Sequence, residues 1–160
     1  MNLLLIGYCH LADGFLYASN SLEKYNNKIF FFPYLIYKMD NNKNLLNDFK
    51  KSLIDNKIDI CLWWNNSISY DEINNMLSIN CLNIFFNWDP FLYDYQKYNC
   101  ENHWKNLIDN KKNVYPLMNH IFTCFEKEIE YFNKDNIYYN PPGFDKNISK
   151  YEFNKDYECD

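Results

Sequence analysis

The chain has 160 residues, enough for one domain with its own hydrophobic core, and its 48% apolar and 23% charged residues are those of an ordinary globular protein. Its net charge is −5, it has no arginine, and its lysines pair up only at Lys50-Lys51 and Lys111-Lys112. That argues against nucleic-acid binding, which needs a phosphate-neutralising patch. No run approaches the ~18–20 apolar residues of a membrane span. The N-terminus lacks the basic start of a signal peptide, so no membrane span and a cytoplasmic location are expected. Asparagine at 27 positions, with abundant Tyr, Phe, Ile and Lys, matches AT-rich codons, so many amides and phenols here carry no chemistry.

Strand and helix patterns alternate along the chain. Asn2–Gly7 reads as a buried first strand. Gly14–Tyr25 has helical spacing, with Phe15, Ala18, Leu22 and Tyr25 on one face, and Asn26-Asn27 ends it. Lys28–Phe32 is a second strand, stopped by Pro33. Asp40 or Asn41 is expected to cap a helix carrying Leu45, Leu46, Phe49, Leu53 and Ile54. Ile58–Trp64 is a third strand, and Ser69 caps a helix with Asp71 and Glu72 in its first turn. Cys81–Phe86 is a fourth strand. A looser stretch to Pro116 follows, with a short helix expected over Asn102–Ile108. His120–Phe125 is a strand, Glu126–Phe132 a short helix and Ile137–Tyr139 a last strand. This alternation predicts an α/β, Rossmann-like domain: a parallel sheet with helices on both faces.

In open α/β sheets, ligands bind at the carboxyl ends of strands. Three segments fall there: Tyr8–Gly14, Trp63–Ser67 and Asn87–Phe91. They offer His10, Asp13, Gly14, Asn65, Asn66, Asn87, Trp88 and Asp89. Aromatic faces beside amides and carboxylates suit a sugar, and an imidazole or carboxylate can act as general base to a hydroxyl. Plain structural roles stand beside these: Trp63 and Trp64 as half-buried strand ends, His10 as a hydrogen-bonded loop residue, Asp89 before Pro90 as a turn residue. His103 and His120 read as structural or solvated, and Glu126, Glu128 and Glu130 as a solvated charge run. The first loop lacks the glycines of a dinucleotide or P-loop motif, which weakens a flavodoxin-like reading. The cysteines show no zinc-ligand spacing, and Cys61, Cys81 and Cys124 read as reduced, structural residues.

Five pieces carry a resemblance. They are Leu3–Gly7, Gly14–Leu22, Phe86-Asn87-Trp88-Asp89-Pro90, Phe122–Phe132 and Pro141-Pro142-Gly143-Phe144-Asp145. In this order and spacing the chain resembles the N-terminal half of a GT-B glycosyltransferase, most like the spore-maturation (CgeB-like) group. The resemblance implies an acceptor-side domain over residues 1–145 and a connector over 146–160 toward a C-terminal donor-binding domain. The expected activity is transfer of a sugar from a nucleotide-sugar to a hydroxyl of a glycan, protein or small molecule. The nucleotide-sugar is expected in the second domain, with no cofactor or metal held by this one, so the chain alone would be inactive. His10 and Asp89 are the catalytic candidates, and Asp13, Gly14, Asn65, Asn87 and Trp88 the acceptor-binding ones. Cys9-His10-Leu11 stands where the fold commonly has a glycine-rich run, so His10 is assigned by position. The alternative reading is a stand-alone, non-catalytic module that binds a glycan or a protein partner.

Overall fold

A computed structural model of the chain describes residues 1–7, 23–40, 43–64, 68–77, 80–87 and 109–140. Six parallel strands form one sheet in the order β2-β1-β3-β4-β5-β6. They are β1 (Asn2–Gly7), β2 (Lys28–Phe32), β3 (Ile60–Trp64), β4 (Leu82–Asn87), β5 (His120–Thr123) and β6 (Ile137–Tyr139). The expected α/β, Rossmann-like class is the observed one. From β1 the chain steps to one side to make β2, then crosses back to make β3, and every later strand adds on that far side. The reversal therefore falls between β1 and β3, paired from Leu3 opposite Ile60 to Gly7 opposite Trp64.

Strands buried on both faces read as continuous apolar runs, and Leu3 to Ile6 are all buried. Side chains alternate between two clusters. Leu4, Ile6, Cys61, Trp63, Phe85 and Ile121 join the larger one under the helices. Leu3, Leu5 and Leu62 form the centre of a smaller one on the other face, with Trp64, Ile84 and Phe86 against it. The described helices contribute to the first face: α1 (Tyr34–Met39) through Tyr34, α2 (Leu45–Asp55) through Phe49, α3 (Tyr70–Met76) through Ile73 and Met76, and α4 (Glu126–Phe132) through Ile129 and Phe132. A further helical stretch over 109–114 runs into a 3₁₀ turn at Tyr115–Leu117. No described helix is long and apolar enough to cross a membrane.

Several boundaries differ from the sequence reading. α1 follows Pro33 directly, a helix the strand-stop reading of that proline misses. Tyr34 is buried there and Tyr37 stacks on Phe32 at 4.9 Å, so packing supplies what the six-residue helix lacks in length. Asp40 is the C-cap of α1, and α2 starts at Leu45 with Asn44 as its N-cap, which makes no side-chain cap hydrogen bond. β3 starts at Ile60 because Ile58 still closes α2: its N–H donates to Leu53 O while Lys57 N–H donates to Ile54 O. Lys57 takes φ 48° at this left-handed position, where glycine is usual. β5 stops at Thr123, whose hydroxyl accepts the Phe125 N–H at 3.2 Å and opens α4. Ser69 caps α3 as expected, in a reciprocal box: its hydroxyl accepts Glu72 N–H, and Glu72 Oε2 accepts Ser69 N–H at 2.8 Å.

Candidate functional site

The carboxyl edge of the sheet starts at Gly7. A Cβ on Gly7 would sit 2.5 Å from the Trp64 carbonyl oxygen, closer than carbon and oxygen tolerate. Glycine is thus what lets the last residues of β1 and β3 lie side by side at the reversal. That is where open α/β sheets leave a crevice for ligands.

Two strands further along, Asn87 ends β4 and is 2% exposed. Its side chain points under the helices into a buried polar cluster. Asn87 Nδ2 donates to Glu128 Oε1 and Oε2 at 2.6 and 2.7 Å, and Asn87 Oδ1 accepts from Lys111 Nζ at 2.9 Å. Lys111 Nζ lies 3.5 Å from Glu128 Oε1, an ion pair whose side chains are 2% and 0% exposed. Tyr115 OH donates to Glu128 Oε2 at 3.0 Å and Thr123 Oγ1 donates to the same oxygen at 2.8 Å. Burial, then the Glu128 carboxylate, push the Tyr115 hydroxyl well above its ordinary range, so it stays a donor. The cluster joins β4, β5, α4 and the 109–117 stretch. It fixes the strand end from which Trp88 and Asp89 follow.

The opposite face carries an aromatic row at nearly the same height. Trp64 stacks on Phe86 at 5.3 Å, Phe86 on Phe122 at 5.2 Å, and Phe122 lies 5.4 Å from Tyr138. One ring comes from each of β3 to β6, at spacings close to the distance between strands. Tyr138, on the short edge strand, is 40% exposed.

Of the sequence-predicted site residues, Asn87 is described, and it is an anchor: its amide is wholly engaged by Lys111, Glu128 and Thr123. His10, Asp13, Gly14, Asn65, Trp88 and Asp89 lie outside the described residues. Trp63 is a fully buried core residue whose Nε1 donates to Asn83 Oδ1 at 3.1 Å, and Trp64 is half-buried in the aromatic row. The reading of Glu128 as solvated is also overturned, since it is the least exposed carboxylate described. A signal for it was present. Phe125, Glu128, Ile129 and Phe132 share one helical stripe, as do Lys111, Val114, Tyr115 and Met118. Each stripe carries one charge at an apolar position, of opposite sign. Among the described residues, no cluster of three or more His, Cys, Asp or Glu side chains could hold a metal ion. Compared with protein-family models, curated proteins and solved structures, the chain matches none.

Proposed function

We propose that this chain is the acceptor-side domain of a GT-B glycosyltransferase, with the acceptor hydroxyl held at the carboxyl edge of the sheet. The observation that carries this reading is the reversal between β1 and β3, where Gly7 and Trp64 meet. The motif order from Leu3–Gly7 to Pro141–Asp145 supports it, as does an Asn87 anchor immediately before Trp88-Asp89-Pro90. In this reading Trp88 and Asn65 contact the acceptor. His10 or Asp89 takes the hydroxyl proton as the oxygen attacks the anomeric carbon, and the nucleoside diphosphate leaves with the electron pair of the broken C–O bond. That is the inverting course; in a retaining enzyme the two residues position the acceptor. The donor belongs to a second domain, and glycan, protein or small-molecule hydroxyls are the acceptor class.

The test is release of nucleotide from a panel of nucleotide-sugars by the polypeptide that carries this domain in its native source. Acceptor-dependent release is expected, lowered about 10²–10⁴-fold by His10→Ala or Asp89→Asn. No release with any donor from a folded protein that still binds a glycan stoichiometrically would sink the enzyme reading in favour of a non-catalytic binding module. Full turnover by both variants would remove the assigned base.

A further inference from the structure

A second concavity lies at the opposite rim of the sheet, where the strands begin. It is an open groove of about 430 Å³ between the C-terminal ends of α2 and α3, within the usual range of small-ligand pockets. Ile58 and Met76, both buried, lie on its floor, and Leu53, Leu77 and Cys81 add apolar wall. The Cys81 thiol is turned to the backbone, donating to Ile58 O at 3.2 Å, so the floor and inner wall are mainly hydrocarbon. Ile54 stands at the mouth, 74% exposed.

The polar part of the lining is Asn80 and two lysines, Lys50 from α2 and Lys57 from the turn that closes it. Both are exposed, and neither forms an ion pair with a described acid. Among the residues that line the hollow, the two charged ones are both cations, in a chain that is acidic overall, at net charge −5. The helix end does not account for them by itself. Lys50 stands mid-helix, outside the last turn where cations complement the helix dipole. The closing turn would be easier with glycine than with Lys57 at φ 48°.

From this complementarity we infer that the groove binds a single-chain anionic amphiphile, a medium- or long-chain fatty carboxylate. Its hydrocarbon tail would lie along Leu53, Ile58, Met76 and Leu77 and its carboxylate between Lys50 and Lys57. The site is separate from the proposed acceptor edge, lying at the other ends of the strands, and does not depend on the glycosyltransferase reading.

The experiment is calorimetric titration of the 160-residue chain with sodium decanoate, n-decanol and decyltrimethylammonium, together with methionine-methyl ¹³C NMR. Decanoate is expected to bind once per chain with a Kd on the order of 10–100 µM. Decanol should bind several-fold more weakly and the cation not at all. The Met76 methyl signal should move on saturation while that of Met118, a core residue that does not line the groove, stays. Lys50→Gln with Lys57→Gln should weaken decanoate about fivefold without changing decanol, as exposed ion pairs allow. Both lysines are exposed, so the variants are expected to fold, which circular dichroism checks. The inference is overturned by absent or non-saturable decanoate binding, by equal affinity for all three head groups, by an unmoved Met76 methyl, or by lysine variants that bind decanoate as wild type does.

Discussion

At the scale of single residues, Gly7 and Glu72 carry the most. Gly7 was legible as the end of a strand, but the reason for a glycine was not, because it lies in the carbonyl of Trp64, 57 positions away in the chain. Gly7→Ala must move backbone, not a flexible side chain, and is expected to cost about 3 kcal/mol or more. Urea unfolding of the variant measures it, and a loss below 1 kcal/mol would show that the two strand ends part easily. Glu72 shows how several small contacts act on one carboxyl. Burial alone would raise it. The Tyr34 hydroxyl, the N–H and hydroxyl of Ser69, and the Lys38 ammonium 3.0 Å away together outweigh burial and hold it at about 2. The Tyr34 hydroxyl acts from nearby without reaching hydrogen-bond geometry. With the folded value below the unfolded one, the resulting stability is complete above about pH 4.5 and is lost as pH falls toward about 2. Unfolding midpoints taken from pH 5 down to pH 2.5 should therefore drop more steeply in wild type than in Glu72→Gln; parallel curves would remove Glu72 from the acid response.

Among the elements, the join between β4, β5, α4 and the 109–117 stretch decides whether the carboxyl edge is rigid. It rests on Asn87, Lys111, Thr123, Tyr115 and Glu128, all nearly inaccessible. Removing one charge leaves the other buried without its partner, so Lys111→Met or Glu128→Leu alone should cost about 3–5 kcal/mol. Removing both should cost clearly less than the sum of the two, because neither charge then remains stranded. Strictly additive losses in a double-mutant cycle would mean the pair is not coupled. The helical stripes around Lys111 and Glu128 were visible as patterns, but a charge on such a stripe reads as solvated until its partner is found. The partners lie 17 positions apart, on the helical segments before and after β5, and meet only once both pack on the same face of the sheet. The capped helix at Ser69 was fully readable because its signal is local: Ser69 and Glu72 satisfy each other three residues apart. α1 was not, because its support comes from Tyr37 stacking on Phe32 and Tyr34 entering the core.

The whole molecule follows from alternation. Apolar runs such as Leu3–Ile6 and Cys61–Trp63 predicted parallel strands buried on both faces, and the sheet of six parallel strands is what they build. Strand order is a property of crossovers, which no run of residues displays, so the reversal between β1 and β3 became visible only in three dimensions. That reversal is the physical basis for seeking the acceptor at one edge of the sheet, while the lysine-flanked groove occupies the other. The measurement that tests this division most directly is a backbone amide NMR map of the 160-residue chain titrated with hydroxyl acceptors selected from a glycan array. The account predicts shifts at Gly7, Trp64, Asn87 and the segments 8–14, 65–67 and 88–91, with Lys50, Leu53 and Met76 unmoved. Shifts confined to the groove at the strand beginnings, or no array ligand that moves Gly7 and Trp64, would contradict it.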